Sequence, residues 1–419
     1  MKKLKVLTIS DYPLGASGVS HTMKEIVKSL LIDENIEICS MGILNKKMDL
    51  QPSKPDPRWS VFPIEGFRDI SAYRQFVDGF KPDLIIFQSD PRFYKEFLLS
   101  DNEWRKNVPL IWYTIWDNYP YPIYNDKIWD SVDYTVCISQ VTYDIVNKVS
   151  PNVKNYYMPH AVNPQVFKTY DKNMVNQFID KNLPYQKDKF TVFWNNKNAR
   201  RKNGATLIDV FGKFANNVGR DKVFMLMHTN VDDPNGFDLL RIVQDFGLQD
   251  CIGFSQEKVP DYVIAMLNNC ADVTINISDN EGFGLNVIES LSCGTPVIAN
   301  LTGGMIEQMI LEDGTSPGIG IKPSCTYIIG EPANNNPMAA PYIYENRVSN
   351  VDIENALVKM FNMPKEDRQA LGRLGQEHIN KNFSYEKFGQ FWPNFVREVN
   401  NKCESWPRID YLPYTFTEI

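Results

Sequence analysis

The 419 residues are 43% hydrophobic and 23% charged, with a formal net charge of -7; this suits a globular protein with two full cores and excludes a chain disordered by composition. The acidic balance argues against a protein whose main business is gripping nucleic acid, although a local basic face stays compatible with it. Seven cysteines (Cys39, Cys137, Cys251, Cys270, Cys293, Cys325 and Cys403) lack Cys-x-x-Cys spacing, so no zinc site or disulfide framework is expected, and no stretch of about 18 apolar residues offers a transmembrane segment.

The opening Met1-Lys-Lys-Leu-Lys-Val-Leu-Thr-Ile-Ser10 has no long apolar signal core and reads as a buried strand, which points to a cytoplasmic protein. A glycine-containing loop, Gly15-Ala-Ser-Gly18, follows, and Met23, Ile26, Val27, Leu30 and Leu31 then recur at helical spacing. The loop matches neither the dinucleotide fingerprint nor a P-loop, so it is either a plain turn or a phosphate cradle. Apolar strands at Ile36–Ser40, Lys81–Gln88, Val108–Ile115 and Tyr134–Ser139 alternate with helical patterns and predict a parallel, doubly wound α/β sheet. The aromatic loop Tyr113-Thr-Ile-Trp-Asp-Asn-Tyr-Pro-Tyr-Pro122 comes after a strand, where open sheets bind ligands, and makes Trp116 and Asp117 candidate acceptor-site residues; a packed interface loop is the equal alternative.

A linker is expected at about 163–183. Beyond it, the strand Phe190-Thr-Val-Phe-Trp194 runs into the basic loop Asn195-Asn-Lys-Asn-Ala-Arg-Arg-Lys-Asn-Gly204 and a helix. Arg201 and Lys202, supported by Lys197, could neutralise a leaving diphosphate, a guanidinium gripping two oxygens and an ammonium acting as a compact charge. The bland alternative is a solvated basic turn. No Asp-x-Asp and no paired histidine spacing occurs, so no metal site is expected.

The most informative stretch is Asp279-Asn-Glu-Gly-Phe-Gly-Leu-Asn-Val-Ile-Glu-Ser-Leu-Ser-Cys-Gly-Thr-Pro-Val-Ile-Ala299. The strand Val273–Ile277 precedes it; Val287, Ile288 and Leu291 then share a helix face that Glu289 avoids, and Gly294-Thr-Pro296 ends the helix before another strand. Gly284 permits close backbone approach, the helix start suits an anion, and Glu281 and Glu289 are acceptors for sugar hydroxyls.

Glu281-Gly-Phe-Gly-Leu-Asn-Val-Ile-Glu289, with the Ser-Leu-Ser-Cys-Gly-Thr-Pro run after it, resembles the Glu-x7-Glu signature of retaining glycosyltransferases of family 4. The resemblance implies a GT-B fold of two Rossmann-like doubly wound domains facing across a cleft, here 1–165 on the acceptor side and 166–384 on the nucleotide-sugar side, with 385–419 crossing back onto the first domain. It assigns Glu281 to the sugar, Glu289 to the ribose, the amides of Phe283, Gly284 and Leu285 to the diphosphate together with Lys202 and a cation that falls at Lys197 or at Arg201, of which Arg201 is preferred, and Val259 to the base. It also makes Gly15 and Gly18 candidates at the phosphates. The family's usual histidine is replaced by Trp116. The activity implied is metal-independent, retaining sugar transfer from a nucleoside-diphosphate sugar, without a cofactor, to a glycan or lipid hydroxyl. Similarity to glycosyltransferases of large viruses and phages in the Lys197–Arg201 and Gly303-Gly-Met segments adds a hydroxymethylated base of DNA as an alternative acceptor, and a host cytoplasmic location in that case. A non-catalytic nucleotide-sugar-binding module is the remaining alternative. Neither the sugar nor an oligomeric state is specified.

Overall fold

The computed structural model describes residues 3–15, 17–44, 51–66, 70–94, 108–330 and 339–404. The expected packing of Trp406 to Ile419 lies outside the described residues. The chain divides into two compact units, one drawn from 1–160, 329–343 and 386–419, the other from 161–328 and 344–385.

In the first unit, β1 (Leu4–Asp11), β2 (Ile36–Leu44), β3 (Ser53–Asp56), β4 (Trp59–Glu65), β5 (Leu84–Ser89), β6 (Leu110–Thr114), β7 (Tyr134–Cys137) and β8 (Lys154–Tyr157) form one sheet in the order β3-β4-β2-β1-β5-β6-β7-β8. Every pairing is parallel except that of β3 with β4. Continuous burial of β5 reflects helices covering both faces, as parallel sheets require. Aromatic residues fill the core: Phe87 stacks on Trp112 at 5.3 Å, and the Tyr385–Glu404 helix sets Trp392 edge-on against Tyr113 at 5.1 Å.

The second unit holds β9 (Phe190–Asn195), β10 (Val223–His228), β11 (Ile252–Ser255), β12 (Val273–Asn276), β13 (Val297–Asn300) and β14 (Gly318–Ile321) in the all-parallel order β11-β10-β9-β12-β13-β14. The Gly204–Val218 helix buries Leu207, Ile208, Val210, Phe211, Phe214 and Ala215 against one face, beside Ile353, Leu357 and Met360 of the Asn350–Asn362 helix. In this sheet the chain winds one way from β9 to β11 and the other way from β12 onward, so the carboxyl ends of β9 and β12 form the switch point at which such sheets bind ligands. A separate two-stranded sheet, β15 (Cys325–Ile329) with β16 (Ile343–Arg347), overlaps residues 314–344, whose Gly-, Pro- and Asn-rich sequence reads as an irregular insertion or hairpin.

Two elements escape the sequence pattern. The expected linker contains a helix, Lys172–Asn182, which fully buries no residue, although Val175, Phe178 and Ile179 are half-buried along one side; Asp171 caps it. The polar edge strand β3, Ser-Lys-Pro-Asp, has no buried side. Among the described residues no helix is long and apolar enough to cross a membrane.

The Lys365–Asn382 helix lies so close to the backbone after the Leu285–Ser292 helix that a Cβ on Gly372 would stand 1.9 Å from the Gly294 carbonyl oxygen. Gly389, in the Tyr385–Glu404 helix, has 4.0 Å of clearance. An alanine normally gains about 0.5–1 kcal/mol over glycine in a helix. Gly389→Ala should therefore raise stability in urea denaturation by that order, whereas Gly372→Ala should lower it by about 1–3 kcal/mol because backbone must move.

Candidate active site

At the carboxyl end of β9 the chain makes a single 3₁₀ turn, Arg200–Lys202, before entering the Gly204–Val218 helix. Three residues per turn send successive side chains in different directions, so three adjacent cations find three different destinations. The turn is closed by Asn203 in the left-handed region (φ 56°), a conformation asparagine tolerates when its side chain bonds locally. Its Nδ2 donates to the Ile277 carbonyl at 3.0 Å and to Asp279 Oδ1 at 2.6 Å, while the Asp279 N–H donates to the Arg201 carbonyl at 2.8 Å. These bonds stitch the loop after β9 to the loop after β12.

The stitching delivers Lys202 and Arg201 to Glu281. Lys202 Nζ donates to Glu281 Oε1, which also accepts from Asn276 Nδ2 at 3.3 Å and has Ser278 Oγ 3.1 Å away. Arg201 bonds the Asn280 carbonyl and stands 3.6 Å from Glu281 Oε2. Burial alone would raise the Glu281 carboxyl, but Lys202 first and Arg201 next overcome it and hold it at about 2. Glu281 (7% exposed) and Lys202 (8%) thus form a buried ion pair, while the Arg201 side chain keeps 43% of its surface. The cluster carries one carboxylate against two cations, and the excess charge suits an anion.

Beside it, Gly284 adopts φ 91° at the start of the Leu285–Ser292 helix; a Cβ there would be strained and would also meet Met305 Cγ at 2.9 Å. No side chain caps this helix, so its first N–H groups lack that partner and present the positive end of the helix. Leu285 is the first helical residue and half-buried; Phe283 is a scaffold residue, buried against Phe383 at 5.8 Å with its carbonyl accepting from Gln308 at 2.6 Å. Glu289 is less free than its place on the helix face suggests: Asn195 Nδ2, at the end of β9, lies 3.4 Å from its Oε2. Burial, and then the charge of Asp261, push its carboxyl up to about 8. The two glutamates of the motif therefore differ in charge at neutral pH.

The other residues singled out from the sequence have different settings. Lys197 is exposed and pairs with Asp233 at 3.6 Å, so it does not support the Glu281 cluster. Val259 is half-buried just ahead of a helix that begins at Asp261. In the first unit, Gly15 closes a turn by donating its N–H to the Tyr12 carbonyl at 2.7 Å, and Gly18 starts a helix already capped by Ser17, whose Oγ accepts the Ser20 N–H at 3.0 Å. Trp116 follows the packed-loop alternative: it is 2% exposed, edge-on to Trp129 and Tyr124, with Arg92 over its ring and its indole N–H bonded to the Asn118 carbonyl. Asp117 is half-buried. Nearby, His160 is buried, with its ring 2.7 Å from the Tyr113 hydroxyl, and burial lowers it to about 3, so it is neutral. No group of three or more His, Cys, Asp or Glu among the described residues is placed to hold a metal.

A second ionic network adjoins the cluster and has no signal in the motif. Arg200 grips Glu345 of β16 through two bonds of 2.9 and 2.5 Å, and Arg347 donates to Asp279 at 3.1 Å and to Asn203 at 2.9 Å. Burial raises the Glu345 carboxyl, but the bonds from Arg200 and Tyr327 bring it below its usual range. Asp279 (0% exposed) and Glu345 (2%) need these partners. Backbone bonds reinforce them: Asn280 Nδ2 donates to the Tyr344 carbonyl and the Asn346 N–H to the Asp279 carbonyl, at 2.8 and 3.1 Å. β16 is therefore a strut against the Asp279–Glu281 loop.

Residues 175–324, which hold this site, match the family described as glycosyl transferases group 1. A D-inositol 3-phosphate glycosyltransferase of Thermomonospora curvata is 37% identical over 90 residues, covering 20% of this chain and 20% of that protein. Another, from Corynebacterium jeikeium, is 33% identical over 78 residues, 19% and 18% of the two chains. The chain thus spans about a fifth of the length of these curated relatives. Similarity to solved structures extends further: a sucrose-phosphate synthase of Thermosynechococcus elongatus has a TM-score of 0.74 at 16% identity, covering 96% of this chain and 100% of that one. Anabaena HepE, solved with UDP and glucose, has a TM-score of 0.67 at 12% identity over 95% and 100% of the two chains. At such identities the likeness concerns the fold, and the fold is GT-B, with two Rossmann-like units and, in 175–324, a segment similar to glycosyl transferases group 1.

Proposed function

We propose that this chain is a retaining glycosyltransferase that moves a sugar from a nucleoside-diphosphate sugar to an acceptor hydroxyl, without a metal. The observation that carries the reading is the Lys202–Glu281–Arg201 cluster, set at the switch point of the second unit beside an uncapped helix start. In this chemistry the bond between the anomeric carbon and the phosphate oxygen breaks, and a bond to the acceptor oxygen forms on the same face. The acceptor proton passes to the departing phosphate. What the site must supply is cationic stabilisation of that phosphate, and Arg201, Lys202 and the first helix amides are fixed in advance to give it. Glu281, ionised throughout the neutral range, holds Lys202 through Oε1 and keeps acceptor capacity on Oε2 for a hydroxyl of the sugar. Glu289 is assigned to the ribose hydroxyls. The acceptor is proposed to be a glycan or lipid hydroxyl; similarity to enzymes named for D-inositol 3-phosphate puts polyol phosphates first in an acceptor screen.

Turnover of the preferred nucleotide sugar, measured as release of nucleoside diphosphate with and without acceptors, should fall about a hundredfold to a thousandfold in Lys202→Met and Glu281→Ala. No turnover by the unaltered chain with UDP-, GDP- and ADP-sugars would sink the reading. The stability of the same variants separates chemistry from folding. Lys202→Met strands a buried carboxylate and should cost about 3–5 kcal/mol in urea denaturation, while Lys202→Met combined with Glu281→Gln removes both charges and should cost clearly less.

Glu289 adds a pH dependence of known sign. Its folded carboxyl sits near 8 against 4.5 for an ordinary glutamate, so the unfolded chain ionises first as pH rises, and stability is lost between those values. Glu289→Gln should therefore raise the melting temperature at pH 8 relative to the wild type and change it little at pH 4. Equal shifts at both pH values would count against a carboxyl held neutral by burial.

A further inference from the structure

The bonds around Glu281 fix the orientation of one side-chain amide that the proposed chemistry does not use. Asn276, the last residue of β12, accepts the Ser278 N–H at 3.0 Å and the Ser278 hydroxyl at 2.6 Å on its Oδ1. An oxygen that receives a backbone N–H leaves the other end of the amide as NH2, and Asn276 Nδ2 donates to Glu281 Oε1 at 3.3 Å and to Asn286 Oδ1 at 2.9 Å. Asn286 must then turn its oxygen toward Asn276, because the reverse orientation would set two NH2 groups against each other. This leaves Asn286 Nδ2 buried and unpaired, on a residue only 8% exposed. An orphaned buried donor is destabilising, so its retention calls for an acceptor that completes it.

Its location indicates the partner. Asn286 is the second residue of the uncapped Leu285–Ser292 helix and is linked through Asn276 to the Glu281–Lys202 pair. An NH2 group can only donate and a phosphoryl oxygen can only accept, and the helix start adds positive potential at that place. We infer that Asn286 is a further binding residue for the sugar donor, its side-chain amide donating to an anionic oxygen of the diphosphate. The assignment rests on the glycosyltransferase reading and extends it by a side-chain contact inside the Glu-x7-Glu segment.

Isothermal titration of UDP, GDP and ADP, each beside its free nucleoside, tests this on the full chain. Asn286→Asp keeps an oxygen for Asn276 and replaces the NH2 with an anionic oxygen; Asn286→Ser removes the amide donors without adding charge and decides the matter if the aspartate variant fails to fold by circular dichroism. The diphosphate that the wild type binds should bind about tenfold or more weakly to either variant, with the nucleoside unchanged. Unchanged diphosphate affinity overturns the assignment, and so does an equal loss for nucleoside and diphosphate, which marks a distorted site. A wild-type chain that binds none of the three diphosphates overturns the glycosyltransferase reading itself, and with it this one.

Discussion

Much of the second unit's carboxyl edge depends on neutralising one buried carboxylate. Glu281 lies in a loop with no solvent to stabilise its charge, and Lys202 must come to it from the end of another strand. That requirement shapes both loops: Asn203 is forced into a left-handed turn, and its side chain and the Asp279 N–H tie the turn to the loop after β12. A buried ion pair is a weak source of stability when set against an apolar pair of similar volume. Its value here is positional, because it fixes two opposite charges at the switch point.

The same logic extends outward in layers. Asp279, two residues before Glu281, is itself fully buried and needs Arg347; Arg347 belongs to β16, whose Glu345 in turn needs Arg200. Arg200, Arg201 and Lys202 are consecutive, yet the 3₁₀ turn sends Arg200 to Glu345 and brings Arg201 and Lys202 to Glu281. A surface segment that reads as an irregular insertion thereby becomes part of the site's support.

Electrostatic contrast runs along the helix as well. Glu281 is held ionised by two cations, whereas Glu289, one to two turns further on, has an asparagine and a distant like charge for company and retains its proton to higher pH. Two acids of one motif thus serve different hydrogen-bonding needs, the first purely as an acceptor and the second able to donate as well.

The amino-acid sequence by itself determined the α/β alternation, the strand-loop-helix frame around Glu281 and Glu289, and the presence of a basic turn at Arg201-Lys202, since each is written in local periodicity and turn residues. Its silence elsewhere has a physical cause: strand β3 buries no face, so it leaves no pattern. Which cation meets which acid was decided only by tertiary structure, because Lys202 and Glu281 are 79 residues apart and Arg200 and Glu345 are 145 apart. Tertiary packing also drew Trp116 into the core, turned Lys197 toward Asp233 and left the Asn286 Nδ2 unpaired. The motif could supply residues of the right chemistry, but burial and pairing across the β9/β12 switch point selected their roles.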